Sequence, residues 1–117
     1  GAGHRILNAV RRGRVVALSI DQRVRPSQGI AVPFFGRPAW TSPVVAFVST
    51  HANVPVVPCF CLPGEGGGYR VELKAPIVPS QRGPEEVERL TRLYNEAVED
   101  QVRAHPGHYL WMHRRWA

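Results

Sequence analysis

Residues 41–62, TSPVVAFVSTHANVPVVPCFCL, decide the predicted fold because a helix pattern runs directly into a strand pattern. Ser42 is placed to cap the helix, Pro43 suits its first position, and Asn53 suits its end. The apolar run over residues 54–62 then predicts a strand, whose prolines favour an edge or strand-end position. This stretch therefore supplies the second half of a strand–helix–strand unit.

A second apolar run, VVALSI at residues 15–20, precedes the helix and supplies the first strand. It is apolar at both odd and even positions, which is typical of a strand covered on both faces of a parallel sheet. Strand, helix and strand in this order predict a βαβ unit with parallel neighbours. The alternating run YRVELKA at residues 69–75 should return beside the second strand as a hairpin. We therefore predict an α/β fold with a mixed sheet.

Helices and one short strand complete this prediction. HRILNAVRR, residues 4–12, is amphipathic and should end near Gly13, and GIAVPFF, residues 29–35, is a candidate short strand. Residues 84–104 form the best helix pattern, with acids in the first turn and pairs such as Glu85–Arg89 and Glu99–Arg103. Its apolar stripe consists of Val87, Leu90, Tyr94, Ala97, Val98 and Val102. We expect the charged positions of this helix to form a solvated face without a site.

The length and charge of the chain limit the classes of function. A chain of 117 residues predicts one domain, and no apolar run approaches the roughly 20 residues that a membrane-spanning helix needs. The formal net charge of +6 arises in residues 1–39, where seven arginines face one acid. Such a cluster suits phosphate or carboxylate partners, whereas the high arginine content alone is also explained by genome composition.

The chain contains none of the common cofactor or metal motifs. It has no P-loop, no GxGxxG before a helix, no HExxH and no GxSxG. Cys59 and Cys61 share one strand face, and we interpret them as small residues rather than as a metal pair. We interpret His105, His108 and His113 as helix-end or surface histidines rather than as a metal cluster. The sequence therefore predicts neither a metal nor a cofactor.

Five blocks of the chain occur in the order found in a known family. They are GRVVALSIDQ, GIAVPFFGRPAWTSP, VPVVPCFCL, YRVEL and the ending YLWMHRRW, which includes Trp111, Arg115 and Trp116. Together they resemble the bacterial lipid A biosynthesis acyltransferases, the late lauroyl and myristoyl transferases of the wider glycerolipid acyltransferase superfamily. The phosphatidylinositol-mannoside acyltransferases are similar. The resemblance extends from about residue 10 to residue 117.

The resemblance implies a reaction and a missing catalytic group. It implies transfer of a fatty acyl chain from an acyl carrier protein or coenzyme A to a glycolipid hydroxyl, with a histidine general base in an H-x4-D/E motif. No histidine here has an acid five positions later, and His4 has Ala9 there. We therefore expect residues 1–117 to be a single, incomplete domain, the C-terminal part of such an acyltransferase, and to be inactive alone.

The resemblance also implies a set of site residues in the stretch SIDQRVRPSQGIAVPFFGRP, residues 19–38. Asp21 and Gln22 follow the first predicted strand, at the sheet edge where ligands bind in α/β folds. From composition alone, Asp21 caps a turn and the arginines are solvated. By resemblance Asp21 supports the catalytic site, and Gln22, Arg23, Arg25, Arg37, Phe34 and Phe35 bind substrate. In that interpretation the arginines bind phosphate, and the two rings line the acyl path or enter the membrane surface; core packing is the alternative for the rings.

The same resemblance leads to expectations about the partners and the location of the protein. We expect a peripheral protein on the cytoplasmic face of the bacterial inner membrane, with self-association through an exposed sheet edge. The tail YLWMHRRW suits a membrane interface or a terminal helix packed on a sheet. The competing hypothesis is a non-catalytic basic module for anionic lipid or nucleic-acid surfaces. No nucleic-acid-binding motif occurs, so we expect no nucleic-acid partner.

Overall fold

A computed structural model describes residues 2–20, 24–105 and 107 of the chain. In chain order the elements are helix α1 (Ala2–Arg11), a 3₁₀ turn (Pro26–Gln28), strands β1 (Ile30–Phe34) and β2 (Arg37–Thr41), helix α2 (Val44–Ala52), strands β3 (Cys59–Pro63) and β4 (Tyr69–Leu73), and helix α3 (Pro84–Ala104). Over these residues the architecture is mixed α/β, with three helices and two separate two-stranded antiparallel sheets.

The three helices form where the sequence predicts them. Helix α3 has the predicted bounds, and α1 is followed by Gly13, whose φ of 82° is readily adopted by glycine. Helix α2 begins at Val44, one residue later than expected, and the Val44 N–H donates to the Ser42 hydroxyl at 3.4 Å. Asn53 closes α2 in the left-handed conformation and donates its N–H to the Ser49 carbonyl oxygen. The end of α2 at Asn53 confirms the prediction, whereas the predicted N-cap Ser42 is wrong, because Pro43 holds that position without a side-chain capping hydrogen bond.

Both sheets are β-hairpins, of which the sequence predicts one completely. Strands β3 and β4 pair in antiparallel register with Cys59 opposite Leu73, as expected for YRVELKA. Strand β1 confirms the short strand within GIAVPFF, but its partner β2 was not predicted. The turn between them is Phe35-Gly36, with φ values of 51° and 75°. A two-residue hairpin turn with positive φ at both positions usually contains Asn-Gly. Because this turn contains Phe-Gly, the sequence does not predict it.

The prediction of a buried strand over residues 15–20 is wrong in this structure. The segment is assigned no strand, Val15 is 99% exposed, and Leu18 is also exposed. A parallel strand needs hydrogen-bonded neighbours and apolar cover on both faces. In the described part of the chain, each of the two sheets contains only the two strands of one hairpin. Residues 15–20 therefore belong to neither sheet.

The predicted βαβ unit and mixed sheet are likewise not formed by the described residues. The strands before and after α2, β2 and β3, belong to different sheets. Strand β3 begins only at Cys59, whereas Val56 makes an isolated antiparallel bridge to Ile77. Pro55 and Pro58 have no N–H to donate, which explains why a continuous ladder over residues 54–62 does not form.

Helix α3 is the central packing element of the described chain, since it contacts both β1 and α2. Val98 and Val102 pack with Phe34 and Ala39 of the first hairpin, and Leu90 and Tyr94 pack with Ala46 of α2. The predicted apolar stripe of α3 is thus confirmed. Between the two clusters, the buried Asn95 amide donates to the Pro33 carbonyl oxygen and the Thr41 hydroxyl, both at 3.3 Å.

The expectation that the charges of α3 form only a solvated face is wrong for Glu86 and Glu99, which are buried. The Glu86 carboxylate accepts hydrogen bonds from the Ser80 N–H at 2.6 Å and from Arg89 at 2.6 and 2.8 Å. Glu86 thus holds the loop before α3, and Arg89 pairs with it rather than with Glu85. Periodicity could not predict this, because the loop that covers Glu86 is folded over the helix by tertiary contacts.

Candidate functional site

The described chain contains a large, mainly apolar cavity that is open to solvent, since residues 13–19 of its lining are exposed. It has a volume of about 1190 Å³ and is lined by residues 13–20, residues 54–62 and the C-terminal half of α3. Residues from α1 and α2, among them Val10 and Val48, complete the lining. The run VVALSI, which the sequence predicts as a buried strand, lines this cavity instead.

A small set of polar groups interrupts this apolar lining, namely Arg14, Ser19, Ser49, Tyr94, Gln101 and His105. Tyr94 is 4% exposed, and its hydroxyl has no hydrogen-bond partner within the described residues. Burial raises the pKa of Tyr94 to about 12 despite a neighbouring Ser49 hydroxyl that opposes the shift. The Ser49 hydroxyl donates to the Val54 carbonyl oxygen at 2.5 Å. The tyrosine is therefore a neutral, unused donor in an apolar cavity.

A histidine and a carboxylate lie near each other at the edge of the cavity. His105, which follows α3, has its Nε2 atom 4.0 Å from Glu72 Oε1 on β4. The Gln101 amide donates to the same oxygen at 3.5 Å, and Lys74 Nζ lies 3.8 Å from the other oxygen. Since His105 is half-buried and lines the cavity, these contacts join the second hairpin to the end of α3.

The two predicted ring residues occupy different environments at the tip of the first hairpin. Phe34 is buried in the core, in agreement with the core-packing alternative, and its ring contacts that of Phe35 edge-on at 4.8 Å. Phe35 is half-buried and holds a left-handed φ of 51°. Its N–H donates to Glu99 Oε1 at 2.6 Å, and the Arg103 guanidinium lies 4.9 Å from its ring centre.

The predicted charged site residues are only partly described. Arg25 precedes the 3₁₀ turn, Arg37 begins β2, and both side chains are exposed. Asp21, Gln22 and Arg23 lie outside the described residues, as do His108, His113 and the tail. None of Arg25, Arg37, Phe34 and Phe35 lines the large cavity. Their proposed role thus concerns a surface next to the first hairpin rather than the cavity interior.

The structure places two further residues, Tyr94 and Glu99, in positions that the sequence pattern does not reveal. The sequence pattern predicts Tyr94 only as part of the apolar stripe of α3, and Glu99 only as part of a solvated ion pair. Helical periodicity shows that Tyr94 is apolar-facing and that Glu99 is charged. It does not show that Tyr94 lines a cavity or that Glu99 contacts the tip of the first hairpin. Among the described residues no group of three or more His, Cys, Asp or Glu side chains is arranged to hold a metal ion.

Comparison with family models places the chain in a known group. Residues 3–117 match the model described as bacterial lipid A biosynthesis acyltransferase, which covers nearly the whole chain. The chain belongs to the bacterial lipid A biosynthesis acyltransferases. No curated protein matches the chain significantly.

Membership in the lipid A biosynthesis acyltransferases agrees with the resemblance found in the five sequence blocks. It supports an acyltransferase-type function, with an acyl donor and a lipid acceptor as the implied substrates. Within the described residues, no helix is both long enough and apolar enough to cross a bilayer.

Proposed function

We propose that this chain is the C-terminal portion of a membrane-associated acyltransferase that transfers a fatty acyl chain to a glycolipid hydroxyl of the lipid A type. The donor is an acyl carrier protein thioester or acyl-coenzyme A. The observation that carries the proposal is an apolar cavity of about 1190 Å³ in a chain of this family. Ligand sites are typically apolar clefts with a few polar groups that fix orientation, and this cavity has that composition.

The polar groups of the cavity suit an acyl donor. Arg14 and His105 are the lining residues able to carry positive charge, and both are at least partly exposed. A phosphate-bearing donor would place its charged part near such groups and its hydrocarbon chain among the valines. We propose this orientation for the acyl chain.

The residues selected from the sequence belong to a second part of the proposed site. We propose that Asp21 supports the catalytic centre, and that Gln22, Arg23, Arg25 and Arg37 contact the polar part of the donor or the glycolipid. Arg25 and Arg37 are exposed and therefore accessible to phosphate groups. Phe35 is partly exposed beside Phe34 at the hairpin tip, where a ring can contact an acyl chain or the membrane surface.

Acyl transfer to a hydroxyl requires a general base. The 117 residues do not contain the H-x4-D/E motif that supplies this base in the family. No histidine of the sequence has an acid five positions later. A hydroxyl near its ordinary pKa is a weak nucleophile, so transfer without a positioned base is slow. We therefore propose that the chain binds acyl groups but does not transfer them.

Binding of an acyl donor tests the proposal directly. Dodecanoyl-coenzyme A should displace a fluorescent fatty acid from the purified chain in a saturable manner. Replacing Ala97, which lines the cavity, by Trp should weaken binding at least tenfold because the larger ring fills the cavity. Ala104→Trp, at an exposed position on the same helix, is the matched control. Absence of saturable binding, or equal loss in both variants, would contradict the proposal.

Location and assembly are part of the same proposal. We propose peripheral association with the cytoplasmic face of the inner membrane and self-association through an exposed sheet edge, for which the two-stranded second hairpin is the candidate. One face of that hairpin exposes Tyr69, Val71 and Leu73 of β4 together with Cys59 and Cys61 of β3, and Cys59, Cys61 and Leu73 also border the cavity. An exposed, uncharged sheet face of this kind favours association with another apolar surface.

A second candidate function rests on the charge distribution. Arg5, Arg11, Arg12 and Arg14 lie within or directly after α1, and all four side chains are exposed. Such a segment suits a non-catalytic module for anionic lipid or nucleic acid. Salt-dependent DNA binding in a gel shift, together with no binding of acyl-coenzyme A or liposomes, would favour this alternative.

A further inference from the structure

Tyr94 lines the apolar cavity, and its buried hydroxyl is a donor without a partner in the described chain. Its ring packs against Ala46 and Leu90, and residues of three separate segments line the space next to it. Within the described chain the hydroxyl has no hydrogen-bond partner, although the residue is 4% exposed. Most buried polar groups in native proteins are paired, so an unpaired one beside a cavity indicates a group that a ligand can satisfy.

The nearest polar group of the lining does not remove this deficit. The Ser49 hydroxyl lies beside Tyr94 and donates to the Val54 carbonyl oxygen, but it does not meet hydrogen-bond geometry with the Tyr94 hydroxyl in the described chain. Leaving a buried donor unpaired is unfavourable, because the group has lost its hydrogen bonds to water without replacement. A ligand that brings an acceptor oxygen to this position recovers the hydrogen bond, whereas a plain hydrocarbon chain does not.

The charges of the lining orient such a ligand. Arg14 and His105 suit an anionic head group. The remaining lining is mainly apolar, and within it the buried hydroxyl of Tyr94 has no hydrogen-bond partner in the described chain. A ligand matching both features has an anionic head, an apolar chain and an oxygen atom beyond the head group. This charge complementarity favours an amphiphilic acyl chain over a second protein surface.

We propose that Tyr94 is a specificity-determining residue, which donates a hydrogen bond to a hydroxyl or carbonyl oxygen carried by the acyl chain in the cavity. The proposal rests on the proposed acyl-binding function and adds to it a preference for oxygen-bearing chains. Discrimination arises because a chain without the oxygen leaves the Tyr94 hydroxyl buried and unpaired.

The test compares tetradecanoate with a series of its hydroxylated isomers, using displacement of a fluorescent fatty acid from the full 117-residue chain. The wild-type chain should bind at least one hydroxylated isomer about 3–10-fold more tightly than tetradecanoate, as expected for one net hydrogen bond. Tyr94→Phe should abolish this preference and leave the affinity for tetradecanoate within about twofold. Tyr69→Phe, an exposed tyrosine on β4 outside the cavity lining, should retain it.

The remaining outcomes distinguish failure of the acyl-binding function from failure of the role of Tyr94. If no chain binds, the acyl-binding function itself fails, and the inference fails with it. If chains bind without preference in the wild type, only the role of Tyr94 is wrong. Ser49→Ala is the second variant, for use if Tyr94→Phe does not fold. Retention of the preference in Ser49→Ala supports Tyr94, and its loss assigns the discrimination to Ser49 and overturns the proposal.

Discussion

At the scale of single residues, burial gives the Glu86 carboxylate a role that its position on a charged helix does not reveal. Glu86 is fully buried, and the hydrogen bonds from Arg89 and Ser80 lower its pKa from an ordinary 4.5 to about 2. The charged form is therefore favoured in the folded state, because two guanidinium N–H groups and a backbone N–H are aimed at it.

Substitution of Glu86 by Gln should change how stability depends on pH. Because the folded pKa lies below the unfolded value, the carboxylate contributes stability above about pH 4.5 and loses it as the pH falls toward 2. The wild type should thus exceed Glu86→Gln in free energy of unfolding at pH 6–7, and the difference should shrink between about pH 4.5 and 2.

Urea denaturation at a series of pH values measures this difference. Glu88→Gln, at an exposed position of the same helix, is the control and should show little effect at any pH. A difference between wild type and Glu86→Gln that stays constant from pH 7 to pH 2.5 would show that the charge of Glu86 is not responsible.

At the scale of elements, α3 holds the first hairpin by polar contacts at three successive turns. Asn95 binds the Pro33 carbonyl oxygen, Glu99 accepts the Phe35 N–H, and Arg103 lies over the Phe35 ring. These contacts hold Phe35 in a left-handed conformation that costs a non-glycine residue roughly 1–2 kcal/mol. Conformational strain of this kind often occurs at functional positions, and Phe35 is a proposed contact of substrate or membrane.

Glu99→Ala should destabilise the chain by about 1–3 kcal/mol, because it leaves the Phe35 N–H without its acceptor. Thermal or urea denaturation measures the loss. Glu96 lies three residues before Glu99 on α3 and is exposed, so Glu96→Ala should lower the free energy of unfolding by less than about 0.5 kcal/mol. Equal effects of the two substitutions would mean that the contact to the hairpin tip contributes nothing.

The elements also show which local patterns were sufficient for prediction. Helix α3 and the β3–β4 hairpin were predicted because their periods of 3.6 and 2 extend over many residues. The β1–β2 hairpin was missed in part because its turn uses Phe-Gly, which is not a usual signal for positive φ. The strand predicted at residues 15–20 does not form, because an apolar run indicates burial but does not specify which partner covers it.

At the scale of the whole molecule, the second hairpin presents an uncovered apolar face. Replacing Val71 by Lys at the centre of this face should reduce concentration-dependent self-association of the chain, because a charge opposes contact between apolar sheet faces. Light scattering coupled to size exclusion measures the assembly. Ser27→Lys adds the same charge at an exposed position of the 3₁₀ turn and should not change it. A wild-type chain that is monomeric at high concentration would contradict the proposed self-association.

The proposed function makes a second prediction at this scale. The purified 117-residue chain should transfer no radiolabelled acyl group from acyl-coenzyme A or an acyl carrier protein to a glycolipid acceptor, because the family's histidine–acid motif is absent from its sequence. Product formation above that of a heat-denatured control would show that another residue serves as the base. His105, 4.0 Å from Glu72 at the cavity, would then be the first position to replace.

By itself, the sequence determined the family, the three helices and the second hairpin. Family blocks and helical or alternating periods are local properties, expressed over a few neighbouring residues. The tertiary structure alone decided which apolar run lines a cavity, which carboxylates of α3 are buried, and that the Tyr94 hydroxyl is left without a partner in the described chain. These properties depend on which distant segments meet, since burial and hydrogen-bond pairing are set by neighbours in space and not by neighbours along the chain.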